Sequence, residues 1–202
     1  MKYVLTHYSG DWEWVREYTD DFLIYNRTDE EIPNSIKREN VGDADFDRLS
    51  YIVDNYYNLP DVFLLSKSNL LEKFITKEEF DEIKDNKCFT PLLTKNHKTY
   101  SDSIGPVCFY DSNGQYNERN NSWYLASTPA LYFNDYTDFA KAFYLPNPQY
   151  LTFAPGGNYI LTRDTVHKYG LDFYESLRSI LPYSQRPGEA MMIERSLYTI
   201  WS

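Results

Sequence analysis

Lys67 stands at the end of a near-continuous apolar run, Val62-Phe63-Leu64-Leu65, between Ser66 and Ser68, with Asn69 next. An ammonium in that place is a compact point charge suited to neutralising a pyrophosphate. Thr6, His7 and Tyr8 close an earlier apolar run, Tyr3-Val4-Leu5. Tyr8 offers a ring for stacking on a base, and Thr6 or His7 could bond the base edge or a ribose. Plain readings compete in both places: a strand end that closes a turn, and an ordinary surface lysine.

Gly42 precedes a helix whose first turn holds Asp43, Asp45 and Asp47, with Arg48 close behind. Capping and the helix dipole account for acidic residues there, yet three aspartates exceed what one cap needs. Asp43-Ala44-Asp45 has the two-carboxylate spacing that holds Mn2+ or Mg2+ on a diphosphate, and Arg48 could meet a phosphate. Lys95-Asn96-His97-Lys98 is either a solvated charge run or a loop closing over phosphates through Lys95 and His97. Pro155-Gly156-Gly157-Asn158 must turn sharply and lets another group approach its backbone. Glu189 opens the last helix, where a carboxylate is stabilised for structural reasons alone or serves as general base to an acceptor hydroxyl. Glu194-Arg195, further along, reads equally as an internal ion pair or as part of a site.

The elements that must position these groups follow from periodicity. Strands are expected at Tyr3–His7, Phe22–Asn26, Ile36–Arg38 and Asp61–Ser66, the last apolar on both faces. A short helix within Asp11–Asp20, capped by Asp11, carries Trp12 and Trp14. Phe46, Leu49, Ile52, Val53 and Tyr56 recur at helical spacing from Asp45 to Leu59-Pro60. Thr76 and Glu79 form a capping box ahead of Phe80 and Ile83. Beyond them come strands at Phe89–Thr94, Val107–Tyr110 and Tyr159–Thr162, a hairpin turn at Ser112-Asn113-Gly114, and helices at Tyr136–Tyr144, Phe173–Leu181 and Glu189–Trp201. Alternating strands and helices predict one α/β domain over residues 1–202, with a mixed, mostly parallel central sheet flanked by helices. In such sheets ligands sit beyond the carboxyl ends of the strands. That rule points to Thr6–Tyr8, Gly42 and Ser66–Asn69.

Composition narrows the partners. A net charge of −10 over 202 residues argues against duplex nucleic acid, whose phosphates are met by clustered Lys and Arg. Cys88 and Cys108 make no metal spacing and read as reduced core residues in an intracellular setting. No apolar run reaches the roughly 18 residues of a membrane span, and Met1–His7 turns polar too soon for a signal peptide. A cytoplasmic protein is expected. The 20 tyrosines suit sugar or base stacking, and equally suit packing. No phosphate-cradling loop of the P-loop type is present, which disfavours a nucleotide hydrolase.

Taken together, Asn40-Val41-Gly42, Arg48 and the Val62–Leu65 strand with its polar exit resemble the donor half of GT-A glycosyltransferases. Ala154–Thr162 and Gly188–Arg195 resemble the acceptor half. The likeness extends to small chlorella-virus capsid glycosyltransferases of similar length, and Asn40–Asp61 also resembles a group of fungal and viral proteins. The resemblance implies a GT-A-like fold with a nucleotide-binding half at 1–95 and an acceptor half at 96–202. It implies transfer from a nucleotide sugar, with a UDP-sugar favoured, to a glycan or glycoprotein acceptor, in a host's cytoplasm if the protein is viral. Thr6, His7, Tyr8, Asp43, Arg48, Lys67, Asn69, Lys95 and His97 would hold the donor. Gly156, Gly157 and Glu194 would face the acceptor, and Glu189 would be catalytic. One departure bears on the metal. The family places Asp-x-Asp after the strand that here ends in Lys67, so either Lys67 replaces the metal's charge or Asp43 and Asp45 supply a relocated metal site. A non-catalytic carbohydrate-binding module, stacking sugars on Trp12, Trp14 and the tyrosines, is the alternative.

Overall fold

The computed structural model of the protein describes residues 1–202. Its main sheet begins with β1 (Lys2–His7), β2 (Phe22–Asn26) and β3 (Ser35–Lys37), laid side by side and parallel. Helix α1 (Asp43–Asn55) then carries the chain back across the sheet, and β4 (Val62–Lys67) pairs with the free side of β1, Tyr3 opposite Leu64. The short α2 (Leu70–Lys73) and α3 (Lys77–Ile83) follow, then β5 (Thr90–Pro91). Much later β10 (Tyr159–Thr162) inserts antiparallel between β4 and β5, giving the order β3-β2-β1-β4-β10-β5. Three of the five pairings are parallel, so the sheet is mixed and mostly parallel.

Side chains alternate between two cores across this sheet, which is why its strands read as continuous apolar runs. Val4, Tyr25, Phe63, Leu65, Tyr159 and Leu161 face one core, with Leu49 and Ile52 of α1. Tyr3, Leu5, Ile24, Leu64 and Ile160 face the other, with Trp12, Trp14 and Phe80. The first core also holds α6 (Leu171–Ser179) through Tyr174 and Leu177, and α7 (Gly188–Trp201) through Met192, Leu197 and Trp201. Both halves of the chain therefore build the first core together, and β10 of the second half sits inside the sheet of the first.

A second sheet, β6 (Tyr100–Asp102), β7 (Gly105–Tyr110), β8 (Tyr116–Arg119) and β9 (Tyr150–Thr152), is antiparallel throughout. Only β7 and its hairpin are legible in sequence. The segment Tyr116-Asn117-Glu118-Arg119 hides as a strand because its buried groups are polar and satisfied: Asn117 accepts from Thr152 at 2.7 Å and Glu118 meets Arg195 at 2.6 Å. Helices α4 (Tyr136–Ala142) and α5 (Arg163–Val166) complete the chain.

Several local expectations change. The segment capped by Asp11 is a single 3-10 stretch, Glu13–Glu17, with the Asp11 carboxylate taking the Glu13 N–H at 2.7 Å. Its Trp12 and Trp14 are buried, so they offer no sugar-stacking face. The strand expected at Phe89–Thr94 shrinks to two residues, because Pro91 has no N–H to give a ladder. Cys88 is exposed, while Cys108 is buried.

Candidate functional site

The chain travels outward from β1 to β3 and then returns to β4 on the other side of β1, so the sheet has a switch point between β1 and β4. A crevice must open there beyond the strand ends. The crevice is a cavity of about 350 Å³. Thr6, Tyr8 and Ser9 reach it from β1, Arg27 from β2, and Lys67, Ser68 and Asn69 from β4. Asn40, Asp43 and Ala44 bring the start of α1, Lys73 and Phe74 the end of α2, and Gln185 and Arg186 the loop before α7.

That last loop is held by backbone bonds, Gly42 N–H to Ser184 C=O at 2.7 Å and Asp43 N–H to Gln185 C=O at 3.0 Å. Both Gly42 and Asp43 have positive φ, 70° and 49°. Aspartate tolerates this conformation at a cost, and such strain concentrates at functional sites. It leaves the Asp43 carboxylate 3.3 Å from the Lys67 ammonium and 3.8 Å from Arg186. Burial works to raise the Asp43 pKa, but Lys67, the Ala44 N–H and Arg48 outweigh it and hold the carboxyl below its usual range. Asp43 is therefore ionised at neutral pH.

The strand exits are fixed with equal care. Asn158 is fully buried and accepts the Lys67 N–H at 2.9 Å. Trp14 donates its indole N–H to the Ser68 carbonyl at 2.6 Å, and His7 Nδ1 lies 3.0 Å from Ser68 Oγ. On the floor, Arg27 pairs with Asp47 at 2.8 Å, both buried, and leaves its Nη2 without a partner. The lining thus holds four cations, Arg27, Lys67, Lys73 and Arg186, against one carboxylate, Asp43. One of the four, Arg27, is already matched by buried Asp47. A chain of net charge −10 concentrates positive charge in this crevice, which also receives the positive end of the α1 dipole.

Of the residues singled out in sequence, the crevice gathers Thr6, Tyr8, Asp43, Lys67 and Asn69. The others lie elsewhere. His7 is 2% exposed, its second nitrogen 3.3 Å from Glu30, so it braces the strand exit from beneath. Arg48 is buried, paired with Asp45 at 2.7 Å and donating to the Gly156 carbonyl, so it ties α1 to the Gly-Gly turn and does not reach a phosphate site. Lys95 is an exposed loop residue 3.5 Å from Glu82, and His97 sits edge-on to Tyr116. Gly156 and Gly157 have φ of 89° and 67°; a Cβ on the first would strike Phe74 and on the second would come within 2.8 Å of Arg48. They are glycines for close packing. Glu194 opens into a second cavity, beside Arg195, whose ion partner is Glu118 and not Glu194.

Glu189 requires the largest correction. It is fully buried, with one oxygen accepting the Leu131 and Tyr132 N–H groups at 2.8 and 2.6 Å and the other taking the Tyr183 hydroxyl. Both oxygens are engaged in holding the Pro129–Tyr132 segment against α7, and none faces the crevice. Glu189→Gln is accordingly expected to cost about 1–3 kcal/mol, as charge-assisted bonds become neutral ones, and to leave nucleotide binding unchanged. Thermal melting and calorimetry on that variant check this. A normal melting point with lost turnover would return Glu189 to the reacting centre.

A divalent ion fits this geometry poorly. Only Asp43 of the two aspartates lines the crevice. Asp45 is 1% exposed and held by Arg48, and burial pushes its carboxyl up to about 6 against the lowering pull of that arginine. Positive charge at the crevice comes from Lys67, Lys73 and Arg186. Sequence reading missed Arg27, Lys73 and Arg186. Arg27 was accessible in principle, since it leaves β2 as Lys67 ends β4. Arg186 was not, because its position depends on a contact made between residues 42 and 184. Comparison with protein-family models, curated proteins and solved structures finds no match.

Proposed function

We propose that the crevice holds the diphosphate of a nucleotide-sugar donor and that the protein transfers the sugar to a hydroxyl acceptor, a glycan or glycoprotein. The observation that carries this reading is the cation-rich crevice at the switch point of an otherwise acidic molecule. Lys67, Lys73 and Arg186 stand ready to neutralise a diphosphate in the ground state and, more strongly, as it departs with its full charge. Tyr8, 57% exposed at the crevice, offers a face to the base, and ionised Asp43 accepts a ribose or sugar hydroxyl. A UDP-sugar is favoured by the GT-A resemblance alone.

The test is turnover. Purified protein is incubated with a panel of UDP-, GDP- and ADP-sugars, with and without a pool of neutral glycans, and free nucleotide is measured. The expected result is release of UDP from one UDP-sugar, accelerated by glycan. Tight nucleotide binding with no sugar consumed, whatever acceptor is offered, would reduce the site to a binding pocket.

A further inference from the structure

The Pro155–Gly157 turn separates the crevice from a second cavity: Gly156 lies against Phe74 of the crevice wall, and Pro155 lines the other side. This groove, about 280 Å³, is walled by Trp123, Tyr100, Tyr116 and Phe153. That volume suits a single small ring, since drug-sized ligands take about 300–1,000 Å³. Trp123 and Tyr100 are 50% and 45% exposed, so aromatic faces stand open to a guest.

One polar group in the groove is unexplained. Glu194 is only 9% exposed, opens into the groove, and has no hydrogen-bond or ion-pair partner in the protein. Its oxygens reach the groove's solvent, so a guest that displaces that water must supply a donor in its place. The charge around it decides which donor. Arg195 and Lys98 balance Glu118 and Glu194 among the lining residues, and burial pushes the His97 ring towards its neutral form. The Arg195 guanidinium already packs over Tyr124, Phe153 and Trp123, at 4.2, 5.0 and 5.7 Å from the ring centres. An organic cation would meet that guanidinium, and an anion would meet Glu194. A neutral guest with one apolar face and several hydroxyls meets neither obstacle.

We propose that this groove binds a neutral sugar ring, its apolar face on Trp123 and a hydroxyl donating to Glu194. The sugar's role as the acceptor rests on the transfer reading above; its binding does not.

Trp123 is also the reporter. Trp12, Trp14 and Trp201 are buried, at 6%, 7% and 0% exposure, so acrylamide quenching of fluorescence reads the groove. The probes are neutral methyl pyranosides, glucuronate and tetramethylammonium, with no nucleotide present, so failure of the donor crevice leaves the outcome untouched. The expected result is protection by at least one neutral pyranoside with a Kd on the order of 1 mM, weakened about tenfold or more in Glu194→Gln as a charge-assisted bond is lost. Saturation transfer to the same sugar should vanish in Trp123→Ala, a half-exposed position whose loss spares the core. No protection by any neutral pyranoside, better protection by tetramethylammonium, or sugar binding undiminished in both variants would overturn the proposal.

Discussion

Lys67→Ala is expected to weaken binding of a nucleoside diphosphate by about tenfold to a hundredfold, and to leave binding of the free nucleoside unchanged. A hydrogen bond to a charged group is worth roughly 1.5–3 kcal/mol, which converts to that range of affinity. The geometry places the effect towards its upper end. Lys67 now faces Asp43 at 3.3 Å, so removing the ammonium both deletes a phosphate partner and leaves a carboxylate aimed at the incoming anion. Arg186, at 3.8 Å and mostly exposed, compensates weakly. Calorimetry with UDP and with uridine separates the two effects. Equal affinity for UDP in variant and parent would make Lys67 no more than the counter-ion of Asp43.

The largest expected loss of stability lies in the second half. Glu118→Ala should destabilise the fold by about 3–5 kcal/mol, the cost of leaving a buried charge without its partner. At this chain length that is roughly 6–20 °C of melting temperature. Arg195 holds Glu118 through two bonds, 2.6 and 3.2 Å, with both side chains 6% exposed, and joins α7 to β8. The charge is the reason for the cost, so Arg195→Met in the same chain should recover much of it, because an apolar replacement of a buried pair is often neutral. A double-mutant cycle by chemical denaturation measures the coupling. A loss under about 1 kcal/mol for Glu118→Ala, the size of an exposed pair, would contradict this role.

Where sequence and structure agree, the signal is local. β1, β2 and β10 need only a few apolar residues with both faces covered, and the Thr76 capping box needs only residues three positions apart; both capping bonds are present. The strand-end rule needs only strand ends in order, and Thr6, Tyr8, Lys67 and Asn69 line the crevice while His7 and Ser66 from the same strand ends do not. What failed depends on distant partners. Glu189 looked like a free carboxylate at a helix start until the Leu131 and Tyr132 N–H groups arrived from 57 and 58 residues away. Arg48 looked like a phosphate ligand because its tie to Gly156 spans 108 residues. The second sheet stayed hidden for the same reason: its buried Glu118 is paired 77 residues away with Arg195.

On the reading proposed above, the crevice recognises a diphosphate. Thermal shift and calorimetry with uridine, UMP, UDP, GDP and ADP test it most directly, each with and without Mn2+, since a ligand that binds only the folded chain raises its stability by mass action. Affinity should rise from uridine through UMP to UDP, fall with added salt as charge is screened, and survive without the metal because Lys67, Lys73 and Arg186 supply the positive charge. No shift with any nucleotide, or equal binding of uridine and UDP, would contradict it.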